Sequence, residues 1–267
     1  MNSKLFYDKH FNFSLRTLLE YFISPGIKLK YDILKKNIEQ IKSYSNALDL
    51  GCSGNSFLFF LDHQKHNSLL DIAEEPLKYY LGNYKFDYYN FLQKRQKEDY
   101  NPINANICDL PYRSKTFDLI LALDVLEHLK DDEKAIKEIS RILNKEGTLI
   151  LSIPQGINLY SVQDRLIGHY RRYELKSLVK ILNQNALKIK KVFGIYGKLF
   201  KITELQSFNP KKIEDSIINL RNSYTNKTWF RFFWNLIVAF SSFFMKIDVK
   251  YRDLTEMYNI GIILCKV

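Results

Sequence analysis

Cysteine, proline and glycine are all scarce in this chain: three, six and ten among 267 residues. Cys52, Cys108 and Cys265 are odd in number and far apart, with no pair at ligand spacing, so neither a disulfide framework nor a metal site is expected. A reducing cytoplasm is the compartment that fits them. No Pro/Gly/Ser-rich linker divides the sequence, which favours one domain with appendages over two domains. The first residues, Met1 to Asp8, lack the apolar stretch and small-residue cleavage site of a secretory signal, so no export is expected. Long clean apolar runs are missing too. The most apolar stretch, Trp229 to Met245, is interrupted by Arg231, Asn235, Ser241 and Ser242, and falls short of the roughly 20 residues that a transmembrane helix requires.

What remains is an ordinary globular balance, 46% hydrophobic and 26% charged, long enough to bury one sizeable core. Disorder and collagen-like repeats are thereby excluded. Forty Lys and Arg against 29 Asp and Glu give a formal charge of +11. That excess favours an acidic partner, whether nucleic acid, anionic lipid or a phosphorylated substrate, without choosing among them.

Residues 4–43 alternate apolar and basic side chains at spacings of three and four, broken at Ser24-Pro25-Gly26, and predict two helices ahead of the main fold. Ala47 to Leu50 is a short apolar run ending in Gly51-Cys52-Ser53-Gly54-Asn55, and apolar character resumes from Phe57 to Leu61: strand, tight turn, helix. Further strands are expected over 68–72, 117–123 and 147–153, then over 186–195 and 260–265. An amphipathic helix from Asp132 to Leu143 gathers Ala135, Ile136, Ile139 and Ile142 on one face. Strands alternating with helices predict an α/β fold, a mostly parallel sheet covered on both sides.

An open parallel sheet binds ligands at the carboxyl ends of its strands, near the switch in strand order. Four such ends carry signals. Gly51 and Gly54 let backbone approach a ligand closely and expose amides. Asp71, ending the second strand, has the type and spacing to accept hydrogen bonds from both hydroxyls of a ribose, or, with Glu74, to form a helix-capping box. Asn106 offers an amide to a base edge, with Ile107 beside it, or is part of a plain turn. Asp124-Val125-Leu126-Glu127-His128-Leu129 brings three ionisable side chains to the end of an apolar strand, as catalytic groups or as caps.

Taken together, Asp49-Leu50-Gly51-Cys52-Ser53-Gly54, Asp71, Asp109-Leu110-Pro111-Tyr112, Phe117-Asp118-Leu119-Ile120, Asp124 to Leu129, and Lys137 to Leu143 with Gly147 resemble, in order and spacing, the type 11 group of class I S-adenosylmethionine-dependent methyltransferases. The resemblance covers about residues 45–195. It implies a Rossmann-like seven-stranded sheet whose last strand is antiparallel, and S-adenosylmethionine as cofactor. It also implies a cofactor site drawn from Asp49, Gly51, Cys52, Ser53, Gly54, Asp71, Ile72, Asn106, Ile107 and Leu123. The group's usual pattern would place glycines at 53 and 55, where this chain has Ser53 and Asn55. A small residue and one tolerant of left-handed backbone keep donor binding feasible. Asp124, His128 and His169 are the candidate bases. Gly168-His169-Tyr170-Arg171-Arg172-Tyr173 is similar to a segment in relatives associated with cell-surface glycan or lipid-linked sugar synthesis. There Tyr170, Arg171 and Arg172 are candidate acceptor contacts, since adjacent arginines suit phosphate or carboxylate, unless they pair with Glu174 or surface acids.

The domain plan is then one methyltransferase domain over 1–267: N-terminal helices 1–44, core 45–196, an insertion 197–252 and a last strand 253–267. The insertion holds ten Lys and Arg against four acids, and both tryptophans, Trp229 and Trp234. On a helix, Arg231, Asn235, Ser242 and Lys246 form a narrow polar stripe and aromatics fill the rest. Two expectations stand for it, a cap over the acceptor buried against the sheet or a second subunit, and a membrane element with Lys227, Lys246, Lys250 and Arg252 near anionic headgroups. The expected activity is methyl transfer to a small or lipid-linked acceptor, at oxygen, in the cytoplasm or on the inner face of a membrane. RNA methylation and a non-catalytic binding module are the alternatives. Against a base-methylating enzyme, the fourth strand lacks the Asn/Asp-Pro-Pro-aromatic run common there.

Overall fold

The structure, a computed structural model, describes residues 7–10, 19–38, 41, 44–54, 56–61, 66–78, 100–203 and 209–267. Its strands are β1 (Asn46–Leu50), β2 (His66–Asp71), β3 (Tyr100–Asn104), β4 (Phe117–Leu123), β5 (Leu143–Pro154), β6 (Leu187–Tyr196) and β7 (Asn259–Lys266). Its α-helices are α1 (Leu19–Ile23), α2 (Pro25–Ile38), α3 (Glu74–Lys78), α4 (Asp132–Ile142), α5 (Val162–Leu166), α6 (Leu175–Gln184), α7 (Pro210–Asn226) and α8 (Thr228–Lys250). The strands form one sheet in the order β3-β2-β1-β4-β5-β7-β6. β7 runs antiparallel to β5 and β6, and the other pairs are parallel. Strand order reverses where β1 pairs with both β2 and β4, which opens a ligand crevice at their carboxyl ends.

β1 and β4 are apolar without alternation because both their faces are covered. Leu48, Leu50, Ile120 and Ala122 face α4 and α6 with Ile136, Ile139, Leu178 and Leu182. Ala47, Leu119 and Leu121 face Leu29, Leu34 and Ile38 of α2. Each such Leu or Ile contributes about 1.5 to 3 kcal/mol by leaving water. Asp131 starts α4 by accepting the Lys134 amide, and Arg141 and Glu138 on its outer turn hold the Leu110–Tyr112 loop through the Leu110 amide and the Leu110 and Tyr112 carbonyls.

Three elements differ from the sequence expectation. β3 is an edge strand, and its Pro102 and exposed positions hid it from an apolar pattern. The segment after the first turn is a single 3-10 turn over Phe57–Phe60, capped by Ser56, where a longer helix was expected. Most consequentially, the N-terminal helices and the insertion form one helical layer. Arg221 of α7 donates to buried Glu20 of α1 at 2.7 Å, and the Trp234 indole of α8 donates to the Ile23 carbonyl at 3.0 Å.

α8 packs on α2 and β6 through Val238, Ser242 and Met245. Its wide aromatic side is not buried against the sheet, which corrects that form of the cap expectation: Trp229 is 65% exposed and Phe240 63%. At 23 residues the helix is also long and apolar enough, by length and composition alone, to cross a membrane. The interrupting polar residues lie largely on the inner side: Asn235 accepts from Tyr224, and Arg231 lies over the Tyr224 ring.

Candidate active site

β1 ends in a bend that only unusual backbone can make. Gly51 has φ +66°, and a Cβ there would lie 2.5 Å from Val125 Cγ2. Two residues on, Ser53 takes the left-handed conformation (φ 51°) where the family pattern has glycine, so the conformation is kept without the residue type. Asn55 lies outside the described residues. The Gly51 amide continues the β2 ladder by donating to the Leu70 carbonyl at 2.7 Å, and Cys52 and Gly54 are buried beneath the turn.

Asp71 faces this bend. Its Oδ2 accepts the Ser53 amide and its Oδ1 the Ala73 amide, both at 2.9 Å, which leaves further lone pairs for ligand hydroxyls. Burial raises its pKa and those amides oppose the rise. The capping-box alternative is not built: the Glu74 and Glu75 amides go to Asp8, from the N-terminal segment. Asp49 is a supporting group. Its buried carboxylate accepts the Ser56 hydroxyl at 2.6 Å and the Phe57 amide at 3.2 Å, and desolvation pushes its pKa up to about 7. Ile72 is exposed and Leu123 half-buried along the crevice, whereas Ile107 sits in the core and the Asn106 side-chain oxygen accepts the Cys108 amide within its own turn.

Asp124, with left-handed φ 56°, accepts from Lys30 of α2 at 2.6 Å, from the Ser152 hydroxyl at 2.8 Å and from the Asn259 amide at 2.9 Å. The Lys30 charge and these donors overcome desolvation and hold its carboxyl far below the usual range. A carboxylate so stabilised is a poor proton acceptor, which corrects its expected role as a base. The loop that follows carries Glu127 and His128, and His169, about forty residues on, meets them there. Glu127 is fully buried, with neither carboxylate oxygen hydrogen-bonded among the described residues, and desolvation followed by the Asp124 charge pushes its pKa well up. His169 Nε2 lies 3.8 Å from Glu127 Oε1, and the two imidazoles of His128 and His169 meet edge to face, centroids 4.6 Å apart.

This geometry is a left-handed turn at β1, an acid at the end of β2 aimed into it, and a charged loop after β4. A family model described as a methyltransferase domain matches residues 48–151, the segment that builds all three. The chain carries a class I S-adenosylmethionine-dependent methyltransferase domain. An uncharacterized protein of Methanocaldococcus jannaschii is 29% identical over 188 residues, 70% of this chain and 74% of that one. A tRNA U34 carboxymethyltransferase of Campylobacter jejuni is 32% identical over 127 residues, 46% of this chain and only 40% of that enzyme. In fold, the methyltransferase is similar to the N-methyltransferase NodS of Bradyrhizobium japonicum in complex with S-adenosyl-L-homocysteine: TM-score 0.58, 15% identity, 100% of this chain and 99% of that one. The methyl donor is S-adenosylmethionine, and the residues present fit it: Asp71, whose oxygens accept the Ser53 and Ala73 amides, keeps acceptor capacity beside the turn.

Elsewhere in the methyltransferase the expected acceptor contacts are otherwise engaged. Arg171 donates to Asp132 at 2.6 Å and to the Lys130 carbonyl, and Arg172 grips Asp164 with Nε near both oxygens. The pairing with acids foreseen as the alternative is therefore built, with Asp132 and Asp164 in place of Glu174. Tyr170 is exposed, and its amide donates to the Glu127 carbonyl. Lys30 and Asp164 escaped sequence reasoning, whereas Glu127 was read with Asp124 and His128 as a catalytic group or a cap. Glu127 alone had a signal, as a carboxylate among apolar residues next to His128.

Proposed function

We propose that this methyltransferase methylates an oxygen of a lipid-linked acceptor at an anionic membrane surface. The observation that carries the reading is the outer side of α8, where Trp229, Phe232, Phe233, Ile237, Phe240 and Phe243 lie exposed along one helix. A contiguous apolar surface of this kind is rare on monomeric soluble proteins and marks an interaction site. Lys227 stands exposed before its first turn, and Lys246 and Lys250 are exposed near its end. Each cation close to an anionic leaflet is worth about 1 kcal/mol. With its inner side fixed to α1, α2 and β6, the helix lies in the interface plane rather than across the bilayer.

S-adenosylmethionine supplies a methyl carbon already activated on sulfonium. The chain's own contribution is therefore alignment: Asp71 to hold the ribose, the Gly51–Ser53 turn to admit the donor, and the helical layer to exclude water. Such positioning accounts for roughly 7 to 11 kcal/mol of barrier in well-aligned reactions. An acceptor hydroxyl must also shed its proton as its oxygen is methylated. His169 is prepared for that end of the site, because ionised Asp164 accepts from Nδ1 at 2.8 Å and so fixes Nε2 as the lone-pair nitrogen facing Glu127. Its neighbour His128 is the other candidate.

An RNA acceptor is the second reading, favoured by the tRNA-modifying relatives and the +11 charge. Flotation with phosphatidylglycerol or phosphatidylcholine vesicles, beside tRNA binding across a salt series, separates the two. The expected result is flotation with anionic vesicles that is lost in Phe233→Asp/Phe240→Asp. Absent flotation together with steeply salt-dependent tRNA affinity would establish the RNA reading instead.

A further inference from the structure

Glu127, His128 and His169 each offer a ligand atom, and these atoms lie within 4.8 Å of one another. A carboxylate buried to 0% exposure with neither oxygen hydrogen-bonded among the described residues is costly, unless a further group completes it. Both imidazoles are held by neighbours. His169 donates its Nδ1 proton to Asp164, the carboxylate–histidine arrangement that orients metal-binding imidazoles and sets their tautomer. Tyr7 gives its hydroxyl proton to the Ile167 carbonyl at 2.9 Å and lies 3.3 Å from His128 Nδ1, which holds the second imidazole in place.

We infer that Glu127, His128 and His169 form a binding site for a divalent transition-metal ion at the acceptor end of the crevice. Two imidazoles and a carboxylate are the donor set of open zinc sites, and manganese and iron(II) accept the same atoms. Bonds of about 2.1 Å bring such donors to roughly 3 to 4 Å of each other, and here they already lie within 4.8 Å. Three protein ligands leave positions open, and these fit an acceptor that presents oxygen atoms: a hydroxyl beside a carboxylate or phosphate, or a pair of adjacent hydroxyls. The inference deepens the proposed function, because it rests on that end of the crevice being the acceptor's; with the ion bound, the two histidines act as its ligands and not as bases.

The test uses the full chain, stripped with chelator, dialysed against zinc, manganese or cobalt(II), and analysed by elemental mass spectrometry and calorimetry. One equivalent is expected, with a cobalt spectrum of nitrogen and oxygen ligands and no thiolate band. Glu127→Gln and His169→Gln should each weaken binding by at least about tenfold, with circular dichroism unchanged. Failure of the wild type to hold an equivalent, or equal affinity in both variants, overturns the site. Should either variant misfold, the cobalt spectrum of the wild type decides alone, a thiolate band counting against the proposal. S-adenosylmethionine affinity of the stripped chain, measured alongside, reports on the donor site independently, so loss of the metal inference and loss of the methyltransferase reading are told apart.

Discussion

Lys30 Nζ lies 2.6 Å from Asp124 Oδ2, and this ion pair ties α2 to the end of β4. The lysine side chain is 4% exposed and the aspartate 25%. An N-terminal helix that sequence reading set apart from the core thus supplies the countercharge to the loop that carries Glu127 and His128.

Removing one member of a fully buried pair costs about 3 to 5 kcal/mol, and the partial exposure of Asp124 lowers that. Lys30→Met is expected to destabilise the protein by about 2 to 3 kcal/mol, read from urea unfolding. Lys30→Met/Asp124→Asn should recover most of the loss, because no unpaired charge is left behind. A double variant no more stable than Lys30→Met would mean that packing, not charge, accounts for the effect.

Asp71 anchors the Ser53 amide and faces the donor turn. Its loss removes charge-assisted hydrogen bonds worth about 1.5 to 3 kcal/mol each, and 1.4 kcal/mol is tenfold in affinity. Asp71→Ala is therefore expected to weaken S-adenosylmethionine binding by more than about tenfold in calorimetry, with Asp71→Asn intermediate. Unchanged affinity in Asp71→Ala would show that the ribose lies elsewhere.

Asp49 is held near 7 by desolvation and the Asp71 charge, against Ser56, the Phe57 amide and Lys30. In the unfolded chain it titrates near 3.9. Between those values the folded protein keeps a proton that the unfolded one has lost, so this group's contribution to stability falls as pH rises from about 4 to about 7, then levels. The expected span is about 2 to 4 kcal/mol. Comparing unfolding of wild type and Asp49→Asn across that range tests it: the two curves should converge toward pH 5 and separate toward pH 8, and parallel curves would refute the assignment.

Much of the donor site was legible because it is local. A bend after a buried strand needs residues without bulk, and an acid at the end of the next strand falls beside it wherever parallel strands pair in register; Leu50 opposite Leu70 sets Gly51 against Asp71. Even so, besides Gly51 the left-handed conformation falls on Ser53, where the family pattern has glycine.

The acceptor end was legible only in part. Asp124 and His128 stood out as polar residues ending an apolar strand, but whether each is a base, a ligand or half of an ion pair depends on partners that periodicity does not reveal. Lys30 reads as one more cation on a basic helix. Arg171 and Arg172 read as an anion site until Asp132 and Asp164 are seen against them.

The sequence by itself determined the buried strands and the amphipathic helix between β4 and β5, the Gly51 bend and the acid that faces it, because hydrophobic periodicity and backbone sterics act over a few residues. Tertiary structure alone decided that α8 turns its aromatic side outward, that Lys30 neutralises Asp124, and that Glu127 is left buried beside two histidines. Those outcomes come from desolvation and charge pairing between segments far apart in the chain, and such energies exist only once the segments are packed together.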